Sequence, residues 1–436
     1  MRAKTLAALL VLMTAPCFGQ DRAQAFVGAR IIPVEGDEIP SGTLVVQAGK
    51  IVAVGSSNAV RVPDGAARHD VSGKVIMPGL ICTHSHIGGP SGGDRSGPLQ
   101  PDCRVLDSIN VRDPGFRKAH AGGLTTLNVM PGSGHLCSGQ TVYLKLRKDP
   151  VTIDDLVLTT SKGVTGGLKM ANGTNSQSGP PFPGTRGKSA ALARGLWVKA
   201  QAHREALQTA VNDPTKKPSR DLGLEALVEC LEGKRVVHHH THRHDDVMTV
   251  MRLSKEFGFR VVLHHVSDAW HVANEIAAAK VPCSIIVIDS PGGKIEAKDI
   301  DWGNGAALEK AGVLTGFHTD DGITDSRFFL RSAALSVRAG MSREAALYGM
   351  TMAGARMLDL DDRTGSLKAG KDADFVVYSG DPLSVYTKAL QTWVEGVKVF
   401  DRSDPKDRLY AVGGRGASEG QAFTLCHCFG HAGDDR

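Results

Sequence analysis

The middle of this chain alternates helix and strand in chain order. "DPGFRKAHAGGLTTLNVMPG" reads as a helix, a glycine break and a buried strand. "HDDVMTVMRLSKEFGFRVVLHH" repeats the order, with Val247, Val250, Met251 and Leu253 at helical spacing ahead of the strand. "AWHVANEIAAAKVPCSIIVI" and "GAALEKAGVLTGFHTDD" do it again. Helix-then-strand repeats build a parallel sheet, and over roughly 280 residues the economical form is a closed (β/α)8 TIM-like barrel. The 51 glycines in 436 residues suit its many tight turns. Residues 172–190, "NGTNSQSGPPFPGTRGKSA", lack periodicity and read as a long loop over the open end.

The two ends have another character. Residues 25–78 and 363–405 hold short β-branched runs broken by Gly, Pro or Asp, such as "GTLVVQAGKIVAVG" and "DADFVVYSGD". They predict a small composite β-sandwich domain built from both chain ends. The expected order is a signal peptide over 1–19, the sandwich's N-terminal part over 25–78 and the barrel over 79–362. Its C-terminal part over 363–405 and a tail over 406–436 follow.

The leader is read from "MRAKTLAALLVLMTAPCFGQ": Arg2 and Lys4, an apolar stretch, then small residues near Gly19. Pro16 before Cys17 is a poor fit to a lipoprotein site, so the expectation is a secreted or periplasmic protein. Removing Cys17 leaves seven of the eight cysteines, an odd number that argues against a disulfide framework. Cys426 and Cys428, with His427 and His431, lie in the tail at a spacing no common zinc motif uses. A net charge of +5 without a basic block argues against nucleic acid, and no later stretch is long and apolar enough to span a membrane.

Strand ends in the middle stop on metal-binding residue types. "ICTHSH" carries His84 and His86 one residue apart, so an extended chain points both imidazoles to one face. "GGLKMANG" places Lys169 in a short apolar run, and "RVVHHHTHRHDD" has five histidines between 238 and 244. "RVVLHH" ends on His264 and His265, and "GVLTGFHTDD" on His318, Asp320 and Asp321. Each piece alone has an ordinary explanation: a surface pair, a helix cap, a solvated patch. In a barrel these ends converge, and neutral imidazole with carboxylate suits zinc and similar divalent ions.

"VIMPGLICTHSH" resembles the Pro-Gly-Leu/Phe-Ile-Asp-x-His-x-His signature of the amidohydrolase superfamily. The closing "GSLKAGKDADFVVYSGDPL" resembles its composite β domain. "HTHRHDDVMTVMRLSKEFGFRVVLHHVSDAWHVANEI" and "TTLNVMPGSGHLCSGQTVYLKLR" resemble the imidazolonepropionase-like branch, so the likeness runs from about residue 26 to 402. It implies His84 and His86 as first-strand ligands, His240 as the fifth-strand ligand, His265 as the sixth, and Asp320 as last-strand ligand and base. It also implies a substrate-holding role for His242, while His238, His239 and His244 are ancillary. Lys169 is either a carboxylated lysine bridging two metals or a surface strand lysine. The Asp usual two residues before the first His is Cys82 here, which supports either the local fold or the orientation of His84.

The expected cofactor is one or two divalent ions, zinc first. The expected activity is hydrolysis of a C–N bond in an amide, cyclic amide or small peptide by metal-activated water, with Asp320 as general base. A metal-dependent esterase or lactonase and a non-catalytic metal-binding barrel stay open beside it. The expected partners are a small-molecule or peptide substrate and a possible second copy of the chain. Arg186 and Arg243 are either ligands for a substrate carboxylate or ordinary surface arginines.

Overall fold

A computed structural model describes residues 22–89, 94, 96–288, 294–414, 416, 417 and 419. The expected leader over 1–19 and the Cys426/Cys428 segment lie outside the described residues. The described residues open with five strands: β1 (Gln24–Ile31), β2 (Ile39–Gln47), β3 (Lys50–Ser56), β4 (Ala67–Asp70) and β5 (Val75–Pro78). After β6 (Leu80–Ser85), helix α1 (Gly115–Gly122) leads into β7 (Leu124–Val129). Three strands come next: β8 (Cys137–Gln140), β9 (Val142–Lys145) and β10 (Leu168–Ala171). Two helices, α2 (Arg186–Asn212) and α3 (Leu222–Leu231), precede β11 (Val237–Thr241). Then come α4 (His244–Phe257), β12 (Val261–His265), α5 (Ala273–Ala279), β13 (Cys283–Ile285), α6 (Asn304–Ala311) and β14 (Thr315–Phe317). Helices α7 (Phe329–Arg338), α8 (Arg343–Gly349) and α9 (Met352–Met357) return the chain to β15 (Phe375–Tyr378), β16 (Ala389–Val394) and β17 (Val397–Asp401). Helix α10 (Pro405–Val412) follows, where a tail was expected from 406.

The fold is mixed α/β. Strands β10 to β14 pair in sequence order, all parallel, with β8 added antiparallel on β10. A three-stranded sheet holds β6 parallel to β7, and β9 antiparallel to β7. Backbone bonds bridge these two sheets at both sides. Asp320 N, just past β14, donates to His84 O of β6 at 3.0 Å, and Thr141 N, before β9, donates to Gly167 O, before β10, at 2.9 Å.

The helix–strand units form for the reasons their patterns carry. In α4 the buried residues include Val247, Val250, Met251, Leu253 and Phe257, one apolar stripe turned toward the sheet. The helix stops at Gly258, whose φ of 78° is left-handed and costs glycine little. The long loop ends earlier than expected, because Thr185 caps α2 by accepting from Lys188 N; residues 186–190 are helical.

The third sheet joins the chain ends in the order β17-β16-β15-β5-β1-β2-β3, with β4 on the side of β1. Its seam is the antiparallel β5–β15 pair, Val75 opposite Tyr378. Phe26, Phe375 and Trp393 pack beneath it, with ring centroids 4.8 and 5.0 Å from Phe26. Lys145 on β9 ties this sheet to the rest. Its ammonium, fully buried, donates to Asp374 and, at 3.0 Å, to Asp372.

Candidate metal centre

Strands β6, β10, β11, β12 and β14 end on one cluster of buried polar side chains. His84 and His86 face each other, Nε2 to Nε2 at 3.3 Å. His86 donates from Nδ1 to Met130 O at 2.7 Å, which fixes its tautomer and turns Nε2 inward, 2.8 Å from Asp320 Oδ1. Asp320 Oδ1 is also 3.3 Å from His84 Nε2. Lys169 lies in the cluster rather than on the surface: it is fully buried, with Nζ 3.1 Å from His84 Nε2 and 3.1 Å from Met130 Sδ. The surface-lysine reading is therefore wrong.

Of the three consecutive histidines on β11, His240 joins the cluster. Its ring is 4.8 Å from His242 and 4.2 Å from His265. His238 faces the same side two residues deeper, bonded to Tyr143 Oη at 3.1 Å and His264 Nε2 at 3.0 Å. His239 points to the opposite face, where it lines a cavity of about 350 Å³ with Asp246 and Arg252. His242, just past the strand, is held by Ser267 Oγ at 2.7 Å from its Nδ1.

Alternation would send His264 and His265 to opposite faces of β12. It fails because His265 has a left-handed φ of 71°, and both rings come to about 5 Å from that of His84: 5.2 Å for His264 and 5.1 Å for His265. Asp320 is left-handed too, at 49°. Such backbone in non-glycine residues costs on the order of 1–3 kcal/mol each and gathers at functional sites.

His318, named at its strand end but given no role from the sequence, also joins the cluster. Its Nε2 is 3.5 Å from His265 Nδ1, and its Nδ1 is fixed by Ser284 Oγ at 2.8 Å. A signal for it existed, since it stands two residues before Asp320. Asp321 has a structural part instead, accepting from Ser85 Oγ at 2.6 Å and Thr319 Oγ1 at 2.7 Å, and also from Ser326. Cys82 supports the local fold. Its Sγ contacts the main-chain oxygen of His84 at 3.1 Å and Thr319 Oγ1 at 3.2 Å, while burial pushes the thiol up to about 12. Arg186 and Arg243 already hold carboxylates: Asp246 with Glu296 in the first case, Asp245 in the second.

The donors suit a divalent cation. Three sets offer ligand atoms within 4.8 Å of one another: His84, His86 and Asp320; His84, His265 and His318; His240, His242 and His265. His84 Nδ1, both ring nitrogens of His240, and His265 Nε2 are buried without a hydrogen-bond partner. Each such orphan costs about 1–3 kcal/mol, a cost that metal coordination would offset for the nitrogens turned inward. Burial holds His84, His240, His242 and His265 well below the usual imidazole range, and His318 down to about 3, so their lone pairs are free at neutral pH. Burial works against the Asp320 carboxylate, but the hydrogen bond from His86 and its charge hold Asp320 below the ordinary range. In return Asp320 raises His86 against its own burial.

Comparison with known proteins fits this geometry. A family model described as "Amidohydrolase family" matches residues 222–400. The structure of an amidohydrolase from Thermotoga maritima MSB8 superposes with a TM-score of 0.80 at 30% identity, covering 87% of this chain and 100% of that one. The chain belongs to the amidohydrolase family. Amidohydrolase tasK of Hapsidospora irregularis is 28% identical over 391 residues, 83% of this chain, which spans only 40% of that relative's length. A 5-methylthioadenosine/S-adenosylhomocysteine deaminase of Symbiobacterium thermophilum is 22% identical over 408 residues, 81% of this chain and 84% of that one.

Proposed function

We propose that this chain is an exported, metal-dependent hydrolase of C–N bonds, acting on an amide, a cyclic amide or a small peptide. The observation that carries the reading is Asp320, a buried carboxylate grouped with His84 and His86 and kept ionised by the hydrogen bond and charge of His86. A passive metal-binding barrel has no need of an ionised base there. His84, His86, His240, His265 and Asp320, joined by His318, would hold the metal, zinc by the imidazole-rich donor set. When bound, such an ion acidifies water and polarises a carbonyl oxygen.

Asp320 accepts the proton of the attacking water at its carboxylate and delivers it to the leaving nitrogen. Its backbone bond to His84 O fixes the main chain there, and His86 Nε2, 2.8 Å from Oδ1, orients the carboxylate. His242, anchored through Nδ1 by Ser267, presents Nε2 to the substrate, with Lys294 Nζ 3.4 Å from that nitrogen. Lys169, buried with Nζ 3.1 Å from His84 Nε2, would in carboxylated form supply a further carboxylate ligand to a two-ion site. The backbone links on both sides of the parallel strands support a closed (β/α)8 barrel around this site. The both-ends sheet supports a composite β-sandwich domain, and the "HTHRHDD" stretch favours the imidazolonepropionase-like branch. Export rests on the leader sequence.

The test is a hydrolysis panel of dipeptides, cyclic imides, simple amides and esters, with zinc-loaded wild type and Asp320→Asn. Turnover of a C–N substrate that falls about 10²–10⁴-fold in Asp320→Asn is the expected result. Equal rates in the two proteins would remove Asp320 as base. Turnover of esters alone would replace the amide reading with an esterase or lactonase.

A further inference from the structure

Beside the central cluster lies a second set of donors that the proposed chemistry does not use. His244, Asp268 and His271 each present a ligand atom within 4.8 Å of the other two. His244 opens α4, whereas Asp268 and His271 come from the turn and short 3-10 helix after β12. Asp268 is only 6% exposed. Its Oδ2 accepts from His244 Nδ1 at 3.1 Å, and its Oδ1 is buried without any hydrogen-bond partner. An orphaned carboxylate oxygen in a buried position is costly, and one hydrogen bond on the other oxygen leaves that cost standing. Burial accordingly pushes the Asp268 carboxyl above its ordinary value. The two imidazoles lie on the solvent side, with ring centroids 5.2 Å apart, so an ion has a path in.

We propose that His244, Asp268 and His271 form a peripheral site for a divalent transition metal, separate from the central one. Two imidazoles and one carboxylate select zinc, cobalt or nickel over magnesium or calcium. Three protein ligands leave a coordination position open to water, as in exchangeable rather than sealed sites. The ion would join the start of α4 to the turn after β12. These segments flank His242, whose carbonyl accepts from Asp268 N at 3.4 Å. Occupancy therefore stiffens the two loops that carry His242 and Ser267.

The test counts ions in the full, tag-free chain after stripping and dialysis against buffered zinc. Wild type, His244→Gln, His271→Gln and His84→Ala are compared by elemental analysis and thermal melting. The first two changes fall on exposed side chains and leave the core intact. One ion fewer per chain in both glutamine variants, with a smaller zinc-induced rise in Tm, is the expected result. Unchanged ion counts in both would overturn the peripheral site. His84→Ala separates this proposal from the central one: it should lose central ions while keeping the peripheral ion. An ion lost with His271→Gln but none with His84→Ala would support the rim site and overturn the central one.

Discussion

Replacing Lys145 with methionine tests how the both-ends sheet is fastened to the parallel strands. The side chain is completely buried, and its ammonium serves two carboxylates that are themselves about 2% exposed. Methionine fills nearly the same volume, so the change removes charge rather than opening a cavity. Breaking a buried ion pair by deleting one partner costs about 3–5 kcal/mol, because the remaining charge is left uncompensated. Here the surviving partners soften the loss. Asp372 keeps Lys50 Nζ at 2.6 Å and Arg363 Nη2 at 3.1 Å, and Asp374 keeps Thr364 Oγ1 at 3.0 Å and Glu395 N at 2.9 Å. The expected cost is therefore at the low end, about 3 kcal/mol. Urea unfolding at neutral pH with fixed metal reads it as a lower extrapolated free energy. Adding Asp374→Asn to Lys145→Met should recover part of the loss, since it deletes the stranded charge. A single variant within about 0.5 kcal/mol of wild type, the range of an ordinary surface change, would refute the reasoning. So would a double variant whose loss is the plain sum of the two singles.

Where the central site holds two ions per chain, Lys169→Met should lower that content to one while leaving the fold intact; an unchanged count would make Lys169 structural. Burial alone would raise the Asp359 carboxyl, but hydrogen bonds and charge from Arg260 and Lys162 hold it below its ordinary value. The stability it contributes is thus present above an unfolded pKa of about 3.9 and is lost as pH falls through the lower folded value. Asp359→Asn should therefore be less stable than wild type at pH 6, the gap closing below about pH 4; a gap that widened in acid would contradict this. Iodoacetamide on the native protein should modify exposed Cys103 and spare buried Cys82, Cys137, Cys230 and Cys283, as read by peptide mapping. Fast labelling of Cys82 would mean that β6 opens.

Much of this arrangement was legible because it depends on local periodicity. Val247, Val250, Met251 and Leu253 marked α4, and Gly258 its end, because a 3.6-residue stripe and a left-handed stop are sequence-local properties. His84 and His86 could be paired for the same reason. The parts that resisted depend on backbone that no pattern encodes. Nothing in "VLHHV" shows that His265 turns left-handed, so the inward placement of both histidines was out of reach. His318 was named at its strand end but given no role, because the ligand set implied by the resemblance took only Asp320 from that stretch. Lys169 was left between two roles because a lysine in a short apolar run looks alike on either face. Only the sheet shows it buried against His84. The antiparallel placement of β8 and β9 was equally hidden, since short strands rich in Val, Leu and Tyr carry no direction.

The sheet that joins both ends also sets a schedule for making the protein. Strand β5 cannot meet β15 until a segment some 300 residues downstream has been synthesised. At about 5–20 residues per second, that leaves β1 to β5 without this partner for roughly 15–60 s. Over that interval Val75, Ile76 and Met77, all buried in the finished fold, present an open hydrophobic edge to anything nearby. A chain cut short anywhere before residue 375 would keep that edge for good. Such fragments are expected to aggregate or engage chaperones even with every metal ligand in place.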